Sequence, residues 1–461
     1  MKNLTRKNVF GLSTAVLMSA FGLTGLGQSD AVKSPAGPLT PPAYSSTPLV
    51  KKTSSVTPLA GINASTIKTS IPVLAETSIP GYSGVLVETL EGNIVVESGS
   101  TYAYNPASNV KIATAYAVLK TFGPDYRFAT NVWTDGSYEE ATGTIHGNLY
   151  ISGRDPMFGF EHAITVANEL NRIGIRIISG DLVVTDNFAM NYSASPVYSG
   201  NSLFAAVDAA KRPIAATRVW SNYLVKSGKL NQTAAIPSVS FTGSVYVQPM
   251  PGNVKLLFSH ESAPMRDIVK TTLCYSNNFL SDRLGDMVGG PYAVARLVQQ
   301  NTSVQPLEFS IQTSSGLGIN RVTPSAMMKL LRTLRKELAR NKMTFADIMP
   351  VAGIDKGTLE NRFDTDFSTG SVVGKTGTLG QTDGGVSALA GEINTRAGKL
   401  LFVIFNQRGS VARFRAFQNY YVSLIQGQFG GAAPMTYNPI SLDARLAKTR
   451  ITYPHSRVRS E

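Results

Sequence analysis

Cysteine and histidine are the residue types that this sequence has least of. The 461 residues include a single cysteine, Cys274, which excludes both a disulfide framework and a multi-cysteine zinc site. The four histidines are far apart in the chain, so no two of them form the short-range pair of a helical metal site. We therefore predict no metal and no cofactor, and we assign no catalytic role to the histidines: His146, His162, His260 and His455.

Acidic residues are also few. Thirty Asp and Glu against 43 Lys and Arg give a net charge of +13, which favours an anionic partner such as nucleic acid, a membrane surface or an anionic polymer. The apolar fraction of 43% and the charged fraction of 16% exclude a mostly disordered chain. A chain of this length predicts two to three domains of ~150 residues each.

The N-terminus has the pattern of a secretory signal. Lys2, Arg6 and Lys7 precede an uncharged apolar run over residues 9–26, and small residues follow it. We predict a signal peptide over residues 1–31; the alternative is an uncleaved membrane anchor. An exported protein has no access to the nucleic acid of the cytoplasm, so we predict no nucleic-acid partner and retain an anionic envelope polymer.

Two further segments have the composition of poorly packed chain. Residues 32–78 begin with a stretch rich in Pro, Ser and Thr, and we predict a linker there. Residues 429–461 carry an excess of Arg and Lys, and we expect a loosely held, solvated basic tail. The alternative for this tail is an electrostatic tether to the cell envelope.

The chain between these segments indicates an α+β fold. Strand patterns at 84–90 and 93–98 flank a Glu91-Gly92 turn, and a helical pattern begins at Pro106. Residues 125–255 contain several strand patterns but one helical run, at 162–173, so we predict an inserted domain there. The catalytic domain would then comprise residues 79–124 and 256–428, with helices at 264–275, 324–338 and 411–425 and strands at 387–393 and 399–405.

A serine and a lysine three residues apart give the first chemical signal. Ser108 and Lys111 lie on one face at the start of the helix that follows Pro106. A serine becomes a nucleophile when a neighbouring base takes its proton, and a lysine of lowered pKa can be that base. By itself this S-x-x-K pattern is more often a solvated helix face than a catalytic site.

Two more motifs follow in a set order. Ser276-Asn277-Asn278 lies at a helix–loop–helix junction, and Lys375-Thr376-Gly377-Thr378 precedes an apolar strand. The order S-x-x-K, S-x-N, K-T-G is that of penicillin-binding proteins and class A β-lactamases. A phosphate-binding loop at 370–376 is excluded, because three residues separate its glycines where four are required.

The chain resembles a penicillin-binding protein of the D-alanyl-D-alanine carboxypeptidase/endopeptidase family, low-molecular-mass class C. Besides the three motifs, five segments within residues 80–425 are similar to family sequences: 147–156, 259–264, 315–324, 350–359 and 385–391. The 168 residues between Ser108 and Ser276 favour this branch over compact β-lactamases, which carry the second motif sooner. The resemblance implies a penicillin-binding/β-lactamase-type fold, an antiparallel sheet with flanking helices and an inserted small domain. The insert is shorter than in the best-known members, and Ser152-Gly-Arg154 replaces the expected glycine-rich segment.

The resemblance also implies a role for each motif residue. Ser108 would attack the penultimate D-alanine carbonyl, with Lys111 as base and Ser276 relaying a proton to the leaving amine. Asn278 would position Lys111 and the substrate amide. The substrate carboxylate would be held by the last motif, in which Lys375 would also depress the pKa of Lys111: Lys375, Thr376, Gly377 and Thr378.

These roles predict a serine-type D-Ala-D-Ala carboxypeptidase, with endopeptidase activity as a further option, that acts on peptidoglycan stem peptides and is trapped by β-lactams. The alternatives are a β-lactamase, for which we identify no glutamate-and-water element, and a catalytically silent cell-wall-binding protein. Structural roles are predicted for five other residues: a buried Cys274, a helix cap at Thr323, and turn or salt-bridge roles for Asp155, Asp355 and Arg321.

Overall fold

The structure is a computed structural model that describes residues 67–230 and 236–454. The predicted signal peptide, the first part of the linker and the last residues of the tail lie outside the described residues. Those that are described belong to one compact unit. In the described ranges, no helix has both the length and the apolar character needed to cross a membrane.

Helices and strands both contribute throughout the described chain, so the fold class is α+β. The helices are α1 (Pro72–Glu76), α2 (Val110–Phe122), α3 (Phe160–Arg172), α4 (Pro196–Val207), α5 (Ile214–Ser227), α6 (Met265–Tyr275), α7 (Asn278–Met287), α8 (Gly290–Thr302), α9 (Pro324–Arg340), α10 (Val411–Gln428) and α11 (Leu442–Leu446).

The strands form two six-stranded sheets, a four-stranded sheet and a two-stranded ribbon. They are β1 (Lys68–Thr69), β2 (Tyr82–Thr89), β3 (Ile94–Ser98), β4 (Ala129–Thr134), β5 (Ser137–Glu139), β6 (Thr144–His146), β7 (Leu149–Gly153), β8 (Ile177–Ile178), β9 (Leu182–Val184), β10 (Ser240–Phe241), β11 (Val245–Val247), β12 (Lys255–Glu261), β13 (Phe309–Ser310), β14 (Arg321–Val322), β15 (Val372–Leu379), β16 (Val386–Thr395), β17 (Gly398–Gln407) and β18 (Arg450–Thr452).

The central sheet has the order β1-β3-β2-β17-β16-β15, with every neighbouring pair antiparallel. The predicted β2–β3 hairpin is confirmed, with Gly92 at a φ of 95° in its turn. β16 and most of β17 are buried because helices cover both faces of the sheet. One face packs on α2, α8 and α9, and the other on α1 and α10. β15 forms one edge of the sheet, where its backbone is available to other groups.

Three helices of the catalytic region lie close to their predicted positions: α6, α9 and α10. The sequence pattern did not predict α8. α2 is buried along most of its length, from Val110 to Leu119. Thr323 caps α9 as predicted, because its side chain accepts a hydrogen bond from the backbone N–H of Ala326 at 3.0 Å, and Pro324 occupies the first helical position.

Residues of the predicted insert form four strands of the other large sheet, β11-β9-β7-β4-β12-β18, and the whole four-stranded sheet β10-β8-β6-β5. The remaining two strands of the larger sheet are β12, which begins at the predicted boundary, and β18, from the C-terminal segment. The insert residues have a hydrophobic core of their own, which α3 and α4 cover. We expected one helix in this region, but α4 and α5 are also present. Each begins at a proline that favours a helix start, Pro196 after Ser195 and Pro213. We did not predict α4 because its Gly, Asn and Ser residues interrupt the apolar pattern of a helix. The boundaries at 125 and 255 stay a prediction.

The folded region is longer at both ends than we predicted. Residues 67–78, which we assigned to the linker, form β1 and α1, and Leu74 of α1 is fully buried. At the other end, α11 and β18 lie in the segment that we expected to be a loosely held tail. β18 pairs with β12, and its Arg450 contacts Glu261 at 2.6 Å.

An ion pair fixes this C-terminal segment to α6. Arg445 Nη1 lies 2.9 Å from Asp267 Oδ1, and both side chains are almost fully buried. The more exposed Lys448 approaches the other Asp267 oxygen at 3.3 Å. The expectation of a solvated tail is therefore wrong for these residues, because their carboxylate partners are supplied by distant parts of the chain.

The buried Arg445–Asp267 pair predicts an unequal response to mutation. Arg445→Ala leaves a buried carboxylate with one partner fewer, and we expect it to lower the free energy of unfolding by roughly 3 kcal/mol. Lys448→Ala removes an exposed partner of the same carboxylate and should cost less than about 1 kcal/mol. Urea denaturation of both variants measures the difference, and equal losses would contradict the assignment of Arg445 as the anchor.

Candidate active site

The first motif lies where the chain enters α2. Residues Ala107–Asn109 form a single 3₁₀ turn that continues into the helix. Ala107 has a φ of 45°, a left-handed conformation that is uncommon for a residue with a side chain and that often occurs at functional sites. This turn places Ser108 Oγ 3.0 Å from Lys111 Nζ.

The second motif occupies the junction between α6 and α7. Ser276 ends α6 with a left-handed φ of 56°. Asn277 caps α7, since its side chain accepts a hydrogen bond from the backbone N–H of Leu280 at 3.0 Å. Asn278 then begins α7, and its Oδ1 accepts a hydrogen bond from Lys111 Nζ at 2.7 Å.

The third motif lies on the edge strand β15. Lys375 Nζ donates to Ser276 Oγ at 2.9 Å and to the backbone oxygen of Thr376 at 2.7 Å. A Cβ at Gly377 would lie 2.6 Å from the backbone oxygen of Pro106, so glycine lets β15 lie directly against the turn of the first motif. Asn109, in the amide orientation that satisfies its neighbours, donates to the Lys375 backbone oxygen at 2.8 Å.

The structure thus brings together all the residues that the sequence singled out. Hydrogen bonds link Lys111 to both Ser108 and Asn278, and Lys375 to Ser276. The two threonines of the third motif face the same cleft as the two serines: Thr376, Thr378, Ser108 and Ser276. The catalytic role of each residue remains a prediction.

Both lysines of the site are buried. Lys111 is 1% exposed and Lys375 is fully buried. Burial lowers the pKa of Lys111 to about 7, so a large fraction of this amine is uncharged at neutral pH. Burial, and then the nearby charge of Lys111, hold the pKa of Lys375 well below its usual range. The resemblance implied that Lys375 depresses the pKa of Lys111, but desolvation is the dominant cause.

Comparison with known proteins assigns the family. Residues 73–233 and 204–423 match the D-Ala-D-Ala carboxypeptidase 3 (S13) family. The chain belongs to this family. The resemblance predicted from the three motifs is confirmed, and the protein is a serine-type D-Ala-D-Ala carboxypeptidase.

Two curated relatives of this S13 enzyme are similar over most of their length. The D-alanyl-D-alanine carboxypeptidase DacB of Haemophilus influenzae is 23% identical over 77% of this chain and 93% of its own. The D-alanyl-D-alanine carboxypeptidase of Actinomadura sp. is 24% identical over 70% of this chain and 77% of its own.

Solved structures confirm the predicted fold. The peptidoglycan endopeptidase Bd3459 of Bdellovibrio bacteriovorus superimposes with a TM-score of 0.67 and 20% identity, covering 82% of this chain and all of its own. Penicillin-binding protein 4 of Haemophilus influenzae has a TM-score of 0.56 and 20% identity, covering 79% of this chain and all of its own. The fold is therefore of the penicillin-binding type.

A loop before β14 completes the S13 site. Lys111 Nζ donates to the backbone oxygen of Ser315 at 2.6 Å. Gly316 has a φ of 84°, and a Cβ there would collide with the backbone oxygen of Ala107. The sequence marked this segment as family-like but gave no role to Ser315, because a backbone oxygen acts whatever the side chain.

The cleft extends beyond the motif residues. It has a volume of about 570 Å³. Its far wall includes Arg362 and, from α10, Arg415 and Asn419. Arg415 donates to Thr378 Oγ1 at 3.0 Å, directly beside the third motif. No sequence pattern singles out these residues, since an arginine on a surface helix is ordinarily a solvated charge.

A hydrogen-bonded and ion-paired network supports the 3₁₀ turn that carries Ser108, which we call the nucleophile turn. Asn105 Oδ1 accepts a hydrogen bond from the backbone N–H of Ala107 at 3.0 Å, while its Nδ2 donates to Asp383 at 2.8 Å. Arg321 holds the same carboxylate with Nη1 at 3.0 Å and Nη2 at 2.8 Å. Arg321 therefore has the salt-bridge role that we predicted for it.

The other residues for which we predicted structural roles are also paired or buried. Asp355 contacts the fully buried Lys270 at 2.6 Å, and Asp155 Oδ1 accepts a hydrogen bond from the backbone N–H of Met157 at 2.9 Å in a turn. Cys274 is buried, which raises the pKa of its thiol to about 12. A thiol of this pKa is protonated at neutral pH and is not a nucleophile.

The close approach at Gly377 predicts a kinetic effect. Gly377→Ala must move β15 away from the nucleophile turn, and we expect it to slow acylation by a penicillin by roughly 10- to 100-fold, because small displacements at a reacting centre are costly. Gly380→Ala is the matched control, since nothing lies within 4 Å of a Cβ at that position. Stopped-flow acylation rates test this, and equal rates for both variants would contradict the packing argument.

Proposed function

We propose that this enzyme removes the terminal D-alanine of peptidoglycan stem peptides through an acyl-enzyme formed on Ser108. The observation that carries the proposal is the 3.0 Å contact between Ser108 Oγ and a buried lysine amine. A base of pKa about 7 combines a usable uncharged fraction with enough basicity to take a proton.

Lys111 is arranged to act as that base. An uncharged amine has two N–H groups and one lone pair. The oxygens of Asn278 and Ser315, at 2.7 and 2.6 Å, accept from the two N–H groups. The lone pair is then left for the Ser108 hydroxyl, which donates to it and loses its proton as Oγ attacks the penultimate D-alanine carbonyl.

The edge of β15 would receive the developing negative charge. Backbone N–H groups of Ser108 and Thr378 form the oxyanion hole in this proposal, which is supported by the position of Ser108 at the start of α2 and of Thr378 on an unpaired strand edge. Gly377 contributes by allowing the two backbones to come close together.

Ser276 is placed to protonate the leaving amine. Its hydroxyl accepts a hydrogen bond from Lys375 at 2.9 Å and so keeps its own proton free to donate to the leaving D-alanine nitrogen. As Ser276 donates that proton, it takes from Lys111 the proton that Lys111 received from Ser108, so the amine is uncharged again. Water then attacks the acyl-enzyme, and Lys111 takes a proton from that water and returns it to Ser108 Oγ as the acyl group leaves. A β-lactam ring presents the same carbonyl but keeps its leaving group tethered, so it traps Ser108.

The carboxylate of the terminal D-alanine would bind at Thr376 and Thr378. Lys375 and Arg415 supply positive charge there, and Arg415 already donates to the Thr378 hydroxyl. An arriving carboxylate favours the charged form of Lys375, which burial otherwise opposes.

Export follows from the substrate, because the cell wall lies outside the cytoplasmic membrane. The leader over residues 1–31 would direct this export and place the enzyme in the periplasm or an equivalent compartment. The net charge of +13 favours association with anionic envelope polymers. Endopeptidase activity on peptide crosslinks needs the same chemistry with a larger leaving group, and Bd3459, which shares this fold, is an endopeptidase.

Covalent labelling tests the nucleophile. The wild-type enzyme should gain the mass of one penicillin, and the adduct should map to the peptide that contains Ser108. Ser108→Ala should gain none while retaining the wild-type melting temperature. Absence of labelling in the wild type would favour a silent wall-binding protein, and rapid release of the adduct with multiple turnovers would favour a β-lactamase.

The pKa of Lys111 predicts the pH dependence of acylation. The amine must be uncharged to accept a proton, so the rate should fall as pH drops through about 7 and should level off above it. Penicillin acylation rates measured from pH 5 to 9 test this. A rate that is constant over this range, or that rises only near pH 10, would exclude a lysine of lowered pKa as the base.

A further inference from the structure

The far wall of the cleft carries two arginines on neighbouring elements. Arg415 is exposed on α10, and Asn419 lies one helical turn further along the same face, about 6 Å away. Arg362 is half-buried and donates through Nε to Asn419 Oδ1 at 2.8 Å. Its Nη2 donates to Gln418 Oε1 at 3.1 Å. The two guanidinium groups are therefore spaced along the cleft.

Neither arginine has a carboxylate partner. Within residues 67–230 and 236–454, no acidic oxygen lies at ion-pair distance from Arg362 or Arg415. Burial and the charge of Arg415 lower the pKa of Arg362 to about 10, so it remains charged at neutral pH. The two arginines therefore give this wall of the cleft positive charge that no carboxylate of the described residues neutralises.

The partners of Arg362 fix its position without neutralising it. Gln418 is fully buried and is held by its own bonds from Nε2 to Asn406 Oδ1 at 2.9 Å and to Ser387 Oγ at 3.1 Å. Its Oε1 is thereby aimed at the guanidinium. A charged group held by two neutral amides, with its plane fixed, is preorganised for a planar anion such as a carboxylate.

We propose that Arg362 binds a second carboxylate, carried by the leaving group of the substrate. This inference rests on the proposed function, in which the first carboxylate binds at Thr378 and Arg415. Arg362 is held on Asn419, one helical turn along α10 from Arg415, so the second subsite lies beside the first. The preferred leaving group is then an amino-dicarboxylic acid, or a peptide that contains one, and single D-alanine fills only the first subsite.

Two synthetic substrates separate the subsites. N-acyl-D-alanyl-D-alanine has one carboxylate on its leaving group, and N-acyl-D-alanyl-D-2-aminoadipate has two. The released amino acid is quantified by mass spectrometry, and the ratio of kcat/KM for the second substrate over the first is compared between variants. Penicillin labelling of each variant reports separately on Ser108.

The wild type should favour the dicarboxylic leaving group, and Arg362→Gln should lower the ratio by roughly tenfold or more, as expected for loss of a charge-assisted pair. Arg362→Lys keeps the charge but loses the fork geometry, so its ratio should lie between these two values. Arg413→Gln removes an exposed arginine of the same helix that does not line the cleft, and should leave the ratio unchanged.

The outcomes distinguish this inference from the function on which it rests. An equal loss on both substrates in Arg362→Gln, or an unchanged ratio, would overturn the second subsite while leaving the carboxypeptidase intact. A wild type that hydrolyses neither substrate and gains no penicillin overturns both.

Discussion

The site depends on the burial of one amine, that of Lys111. A lysine in water is charged and cannot take a proton from serine, but desolvation lowers the pKa of Lys111 to about 7. The groups around the uncharged Lys111 amine leave its lone pair facing Ser108. Neutral acceptors from α7 and from the Ser315 loop occupy the N–H groups, and Ser108 lies in the remaining direction. A carboxylate in place of either acceptor would stabilise the charged form of this amine, which cannot accept a proton from serine.

Holding this amine in place requires close contact between segments that are distant in the sequence. α2 supplies the lysine, the α6–α7 junction supplies an amide oxygen, and the edge strand β15 closes the third side. Backbones can approach so closely because Gly316 and Gly377 have no Cβ to collide with the nucleophile turn. The left-handed φ of Ala107 is maintained by this enclosure, with Asn105 and Asp383 behind it.

The sequence predicted the site residues that act through their side chains and that lie in motifs of a known order along the chain. Ser108, Lys111, Ser276 and Lys375 could be found because each motif lies at a helix start, a helix junction or a strand, where local patterns are strong. The sequence did not predict the Ser315 backbone oxygen, because any residue type supplies such an acceptor. It also did not predict Arg362 and Arg415 in the cleft wall, because Arg415 has the same pattern as any exposed arginine on a helix. The same limit explains the C-terminal segment: Arg445 resembled a solvated charge because its partner, Asp267, lies 178 residues away.

The charges in the cleft affect how Lys375 and Lys111 are protonated when the substrate binds. Among the described residues, the hydrogen bonds of Lys375 go to neutral groups, Ser276 and the Thr376 backbone oxygen, so no carboxylate there compensates its burial. In the proposed function a substrate carboxylate binds beside Lys375, and this pairing raises the pKa of Lys375, because the carboxylate binds the charged amine more tightly than the uncharged one. The hydrogen bonds of Lys111 go to neutral groups, among them the oxygens of Asn278 and Ser315. In this proposal Lys375 therefore gains charge when the substrate binds, and a positive charge near Lys111 disfavours the protonation of Lys111.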